Sequence, residues 1–183
     1  MTPAAGRTSL YSRWTSALVL ISFGWVAILL ELAPLNKAAG ALPSPDILFC
    51  VVAFLVMRRP GGAPGILILG LGLARDLLSG GPVGLGALAL LATAEALRVM
   101  AEPLRRRARG YEFAAVAVLA LGATVAKIII LTATLAALPP LDLLGMRLLM
   151  TVGTYFIVFF LFRQILRIRA ERTNDLRLGR GSR

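Results

Sequence analysis

Between residues 14 and 163 the chain strings together apolar stretches long enough to cross a bilayer, and its arginines gather outside them or at their ends. A hydrocarbon core about 30 Å thick takes roughly 20 residues of helix at about 1.5 Å each. No backbone polar group inside that core can be left unpaired, so a chain patterned this way folds as helices. The hydrophobic fraction of 58% and mean hydropathy of +0.82 exceed what a soluble chain of 183 residues can cover with polar surface. The expected fold class is therefore an all-α polytopic membrane protein.

The same composition removes most catalytic chemistry. Histidine is absent, and the single cysteine, Cys50, sits inside an apolar run. A His- or Cys-based metal site, a His-dependent triad and a structural disulfide all drop out. Neither Gly61-Gly62 nor Gly80-Gly81 leads into the Gly-Lys-Ser/Thr that grips phosphates. A Gly-x-Ser-x-Gly elbow and a paired-carboxylate motif are missing too. The chain is thus not read as an enzyme, and no catalytic residue, metal or cofactor is expected. A net charge of +11 would suggest nucleic acid in a soluble protein. Here the basic residues border apolar spans, which favours anionic lipid headgroups as partners and not nucleic acid.

Six spans are expected. The first runs from Trp14 to Ala33. Its basic flank, Arg7 and Arg13, also suits a signal peptide, but the apolar run is long for one and lacks a clean small-residue cleavage site, so a retained helix is favoured. The second, Pro45 to Met57, stops at Arg58-Arg59-Pro60-Gly61-Gly62. Ala63 to Leu78 is the third, as a full or re-entrant span, and Ser79-Gly80-Gly81-Pro82 turns into the fourth, Val83 to Leu97. A polar connection from Arg98 to Glu112 precedes the fifth, Phe113 to Leu138, which Pro139-Pro140 ends. Leu143 to Phe162 is the sixth. Residues 1–13 then form a cytoplasmic N-terminal segment, 14–163 a six-helix transmembrane domain, and 164–183 a basic cytoplasmic tail.

Charge fixes the orientation. With the N-terminus inside, sixteen of the twenty basic residues fall on the cytoplasmic side, leaving Lys37, Arg75, Lys127 and Arg147. The positive-inside rule selects that arrangement, with both termini cytoplasmic. A charge within a span costs several kcal/mol when it faces lipid. Arg75, Glu95 and Lys127 are accordingly expected as buried polar contacts, with Glu31 and Arg147 near span ends. Arg75 is expected to snorkel, Asp76 to hydrogen-bond a turn, and Lys127 to pair with Glu95 or Asp76. Glycine and alanine crowd the third and fourth helices, where small side chains allow close backbone approach within the hairpin or at a subunit interface.

One segment carries a family resemblance. Pro45-Asp46-Ile47-Leu48 opens a helix that closes at Arg58-Arg59-Pro60, and Gly70 to Ala87 then reads GLGLARDLLSGGPVGLGA. This resembles the rod shape-determining MreD family, with a Gly-x-x-x-Asp helix end, a short Gly-containing turn and an apolar-Gly-apolar helix start. Gly72, Asp76, Gly80, Pro82 and Gly84 match that pattern. Arg75 stands where an apolar residue is usual, and Val56-Met57 lacks the aromatic often found there. The resemblance implies a non-catalytic component of the elongation peptidoglycan machinery in the bacterial inner membrane. It implies binding to MreC, work alongside MreB, and association with the RodA glycosyltransferase and an elongation-specific class B penicillin-binding protein. The matched residues become candidates for a partner interface or packing. The family is also similar in helix arrangement to substrate-binding subunits of energy-coupling-factor transporters, so the alternative is a small-molecule-binding subunit of a vitamin-type transporter.

Overall fold

The computed structural model describes residues 4–33, 43–80, 82–105, 109–133 and 140–165. Among these, every regular element is helical: α1 (Ala4–Leu32), α2 (Ile47–Arg58), a 3₁₀ turn (Pro60–Gly62), α3 (Gly65–Ser79), α4 (Leu85–Arg105), α5 (Arg109–Ala133) and α6 (Leu141–Ile165). Three stretches are long and apolar enough to cross a membrane: Thr15–Leu32, Gly110–Ala133 and Asp142–Phe162. The chain is thus an all-helical, polytopic membrane-type bundle.

At the polar ends the helices run beyond the sequence reading, whereas α2, α3 and α4 each start two residues later than expected, at Ile47, Gly65 and Leu85. α1 starts at Ala4, inside the segment expected to precede the first span. α4 continues through Arg98 to Arg105 with Pro103 in its last turn, and α5 starts at Arg109, so most of the expected polar connection is helical. Apolarity marks the extent of lipid contact, whereas helix hydrogen bonding continues into polar sequence until something breaks it. The end of the expected fifth span and nearly all of the basic tail lie outside the described residues.

α2 is the axis of the bundle. All ten residues from Leu48 to Met57 are buried, and α1, α4 and α6 pack around them. A helix that is apolar on every face belongs inside a protein. Its 12 residues give about 18 Å of rise, short of the roughly 30 Å hydrocarbon thickness. Toward the Arg58 end the surrounding core is aromatic. Phe23 and Phe162 pack with ring centroids 4.6 Å apart, Phe54 and Phe162 at 5.4 Å, and Phe113 and Phe159 at 5.1 Å. Among the described residues α3 and α4 share the most extensive helix–helix contact. A Cβ on Gly72 would lie 2.7 Å from the Ala87 Cα, so only glycine lets these backbones meet.

Candidate functional site

The shortness of α2 creates a polar problem that its neighbours solve. Its first backbone N–H groups have no partner within the helix and open toward the bundle interior. Asp46 caps it, its Oδ1 accepting from the Phe49 N–H at 2.9 Å. Glu31 on α1 accepts from the Leu48 N–H at 3.3 Å. Thr151 on α6 accepts from the Asp46 N–H at 3.0 Å, while its own hydroxyl donates to the Arg147 carbonyl at 2.8 Å. The Cys50 thiol donates to the Thr151 carbonyl at 3.4 Å. Two carboxylates therefore sit at the positive end of the α2 dipole, where anions are favoured.

The start of α4 is met in the same way from another helix. Asp76 Oδ2 accepts from the N–H groups of Gly84, at 3.1 Å, and Ala87, at 2.9 Å. A side chain near the end of α3 thus supplies the N-cap that α4 lacks. Gly80 ends α3 in the left-handed conformation at φ +70°, and Gly84 enters α4 at φ +93°. A Cβ on Gly86 would overlap the Asp76 carboxylate. Arg75 binds this acidic ground together: its Nη1 lies 2.9 Å from both carboxylate oxygens of Asp46, and its Nε lies 3.9 Å from Asp76 Oδ1.

These groups border a chamber of about 480 Å³, at the Asp46 end of the bundle, whose lining also includes Lys127 and Arg147. Apolar side chains from α1, α4, α5 and α6 complete its wall, among them Leu32, Leu85, Ile128, Leu131, Leu144 and Leu148.

At the opposite, Arg58 end Arg58, Glu112 and Tyr155 close on one another, while Arg98 Nε is buried without a hydrogen-bond partner. Arg58 Nη2 lies 3.2 Å from Glu112 Oε2, and the Tyr155 hydroxyl donates to Glu112 Oε1 at 3.1 Å. The Arg58 guanidinium rests 5.0 Å from the Phe159 ring centroid and 5.7 Å from that of Phe54. Arg59 donates to Ser16 at 3.1 Å.

The structure brings Gly72, Asp76, Gly80, Pro82 and Gly84 together as one helix–turn–helix unit, in which the Pro82 carbonyl accepts from the Leu85 N–H at 3.3 Å. Arg75 is buried and held by Asp46, and does not snorkel. Two expectations are corrected. Glu95 is not a buried contact: its side chain is half-exposed and paired with Arg98 at 3.0 Å, while Arg98 also donates to the Ala63 carbonyl. Lys127 pairs with neither Glu95 nor Asp76, because Arg98 holds the first and the α4 N-terminus holds the second. Sequence reasoning assigned no site role to Asp46, Thr151, Glu112 or Tyr155. For Asp46 the signal was present, since an Asp directly before an apolar run is an N-cap.

No protein-family model matches the chain, and comparison with curated proteins and with solved structures finds no match.

Proposed function

We propose that the chain is a non-catalytic, multi-pass subunit of the bacterial inner membrane that serves the peptidoglycan synthesis machinery of cell elongation, in the manner of the MreD family. It does so by binding an MreC-like shape protein, with a RodA-type glycosyltransferase, a class B penicillin-binding protein and MreB as further members of the assembly. The observation that carries this reading is the α3–turn–α4 unit. Four of the five residues behind the resemblance have a structural task there: Gly72 admits Ala87, Asp76 caps α4, and Gly80 and Gly84 adopt positive φ. Leu77, Leu78 and Val83 are exposed around the same turn and offer a partner an apolar surface.

In this reading all six helices traverse the membrane, the short ones aided by their flanks, and both termini are cytoplasmic. The arginine distribution supports that orientation. In a Cys50→Ser background, Lys37→Cys and Leu141→Cys should react with an impermeant thiol reagent on intact cells. Arg59→Cys and Arg106→Cys should react only after lysis. Purification in mild detergent tests the role itself. Recovery of an MreC-like protein is the expected result, and recovery of an ATPase module without it would overturn the reading.

The chamber favours a second reading, a small-molecule-binding subunit of a vitamin-type transporter. Its volume of about 480 Å³ lies within the roughly 300–1,000 Å³ of ligand sites. Co-purification with an ATPase module is the result that separates it from the first.

A further inference from the structure

We infer that the chamber at the Asp46 end binds an oxyanion, a phosphate or carboxylate carried on an apolar body, between Lys127 and Arg147. The inference goes beyond both roles above and holds under either, because it rests on the chamber alone.

The first argument is an account of donors and acceptors. Three carboxylates line the chamber, Glu31, Asp46 and Asp76. Each already accepts from the backbone at a helix N-terminus: Glu31 and Asp46 at α2, Asp76 at α4. Asp46 also takes the Arg75 guanidinium on both oxygens. Lys127 and Arg147 line the same space, and among the described residues neither makes an ion pair or a side-chain hydrogen bond. An ammonium brings three donors and a guanidinium five, with no acceptor on either. Each carboxylate of the chamber is thus engaged at a helix N-terminus, while neither Lys127 nor Arg147 has a carboxylate within ion-pair distance among the described residues. A ligand that completes it must bring acceptors, and an oxyanion gives charge-assisted hydrogen bonds to both cations.

The second argument concerns the field. The charged side chains of the lining balance, three acidic against Arg75, Lys127 and Arg147. The N-termini of α2 and α4 reach the chamber, and so do the C-terminal turns of α1 and α3 through Leu32 and Ser79, so the helix dipoles offset one another as well. An anion placed between Lys127 and Arg147 therefore meets no net repulsion.

The third is location. Apart from Glu112 and Asp142 near their starts, the charges within the three long apolar stretches are Glu31, Lys127 and Arg147. All three line this one chamber. Ionisable groups inside a membrane mark a ligand or ion path when they converge on one cavity. The aliphatic wall suits an apolar body attached to the anion.

An acidic lipid headgroup and a soluble amphiphilic anion share this chemistry, and the test separates them. The protein is reconstituted into nanodiscs of dioleoyl phosphatidylcholine, and its thermal midpoint is followed by tryptophan fluorescence. One arm adds butyl phosphate to the buffer against chloride at equal ionic strength. The other replaces part of the bilayer with dioleoyl phosphatidylglycerol. A saturable rise in midpoint in either arm is expected, and the responding arm assigns the source. Lys127→Met with Arg147→Met should raise the half-saturating concentration at least about tenfold, while Lys127→Arg alone, which keeps both positive charges, should retain most of the response. Arg59→Gln with Arg98→Gln removes cations at the far end and should leave the response unchanged. The inference is overturned by no saturable rise in either arm, or by an equal half-saturation in the Lys127/Arg147 double variant. It is overturned too if the response follows Arg59 and Arg98.

Discussion

The two ends of α2 bury charge in opposite ways. At the Arg58 end one cation, one carboxylate and one phenol satisfy each other among aromatic rings, and little is left to bind. At the Asp46 end the carboxylates are spent on backbone N–H groups, and a chamber remains beside two cations. The difference follows from helix direction. A helix C-terminus presents carbonyls, which need no buried carboxylate, so Glu112 is free to neutralise Arg58. A helix N-terminus in a dry interior presents donors and draws carboxylates to itself. One end therefore closes as structure, and the other retains chemistry.

The largest test of this contrast compares Arg75→Met with Arg58→Met. Arg75 is the buried partner of Asp46, and its loss leaves a carboxylate uncompensated, which should cost about 3–5 kcal/mol. Arg58 is partly exposed, and Glu112 keeps the Tyr155 hydroxyl after its loss, so a cost of about 1–3 kcal/mol is expected. Unfolding in mixed micelles of increasing sodium dodecyl sulfate measures both. Equal losses would erase the distinction between the two ends.

Gly72→Ala comes next. A methyl group 2.7 Å from the Ala87 Cα must part α3 from α4, at about 1–3 kcal/mol. Because that movement withdraws Asp76 from the α4 N-terminus, Gly72→Ala and Asp76→Ala should be less than additive. Strict additivity would mean that close packing and capping are independent. Gly84→Ala tests a different cause. No heavy atom stands within 4 Å of a Cβ there, but φ is +93°, so a cost of about 1–2 kcal/mol is expected from backbone strain alone. Gly84→Asn, which tolerates positive φ better, should cost less than Gly84→Ala.

Much of this fold was legible because lipid imposes a simple rule. Apolar runs and their basic ends located the six helices of the described residues, three of which are long and apolar enough to cross a membrane, and glycine and proline marked the turn between α3 and α4. The chamber was less legible. Arg75 and Lys127 stood out as charges in apolar sequence, but their partners depend on α2 being too short to reach the surface at both ends. That shortness matters only once α1 and α6 surround it, so the tasks of Glu31 and Thr151 are tertiary facts without a local signature. Glu95 misled for the converse reason. It lies in apolar sequence, yet α4 runs on past it and turns it outward beside Arg98.

Lys127→Met carries the smallest expected effect and the sharpest meaning. A lysine paired with a buried carboxylate should destabilise strongly when removed, since the partner would be left charged in a dry site. Here Asp46 is held by Arg75 and Asp76 by the α4 N-terminus, with or without Lys127. Removing Lys127 strips from the Gly110–Ala133 stretch a charge that has no ion pair among the described residues, and should leave stability within about 1 kcal/mol of the parent, or raise it. The thermal midpoint in phosphatidylcholine nanodiscs without added anion gives the direct measurement. Adding Asp46→Asn to Lys127→Met should then produce only the loss seen for Asp46→Asn alone. A loss above about 3 kcal/mol for Lys127→Met, relieved by Asp46→Asn, would instead reveal a structural ion pair across the chamber, and the Asp46 end would be as closed as the Arg58 end.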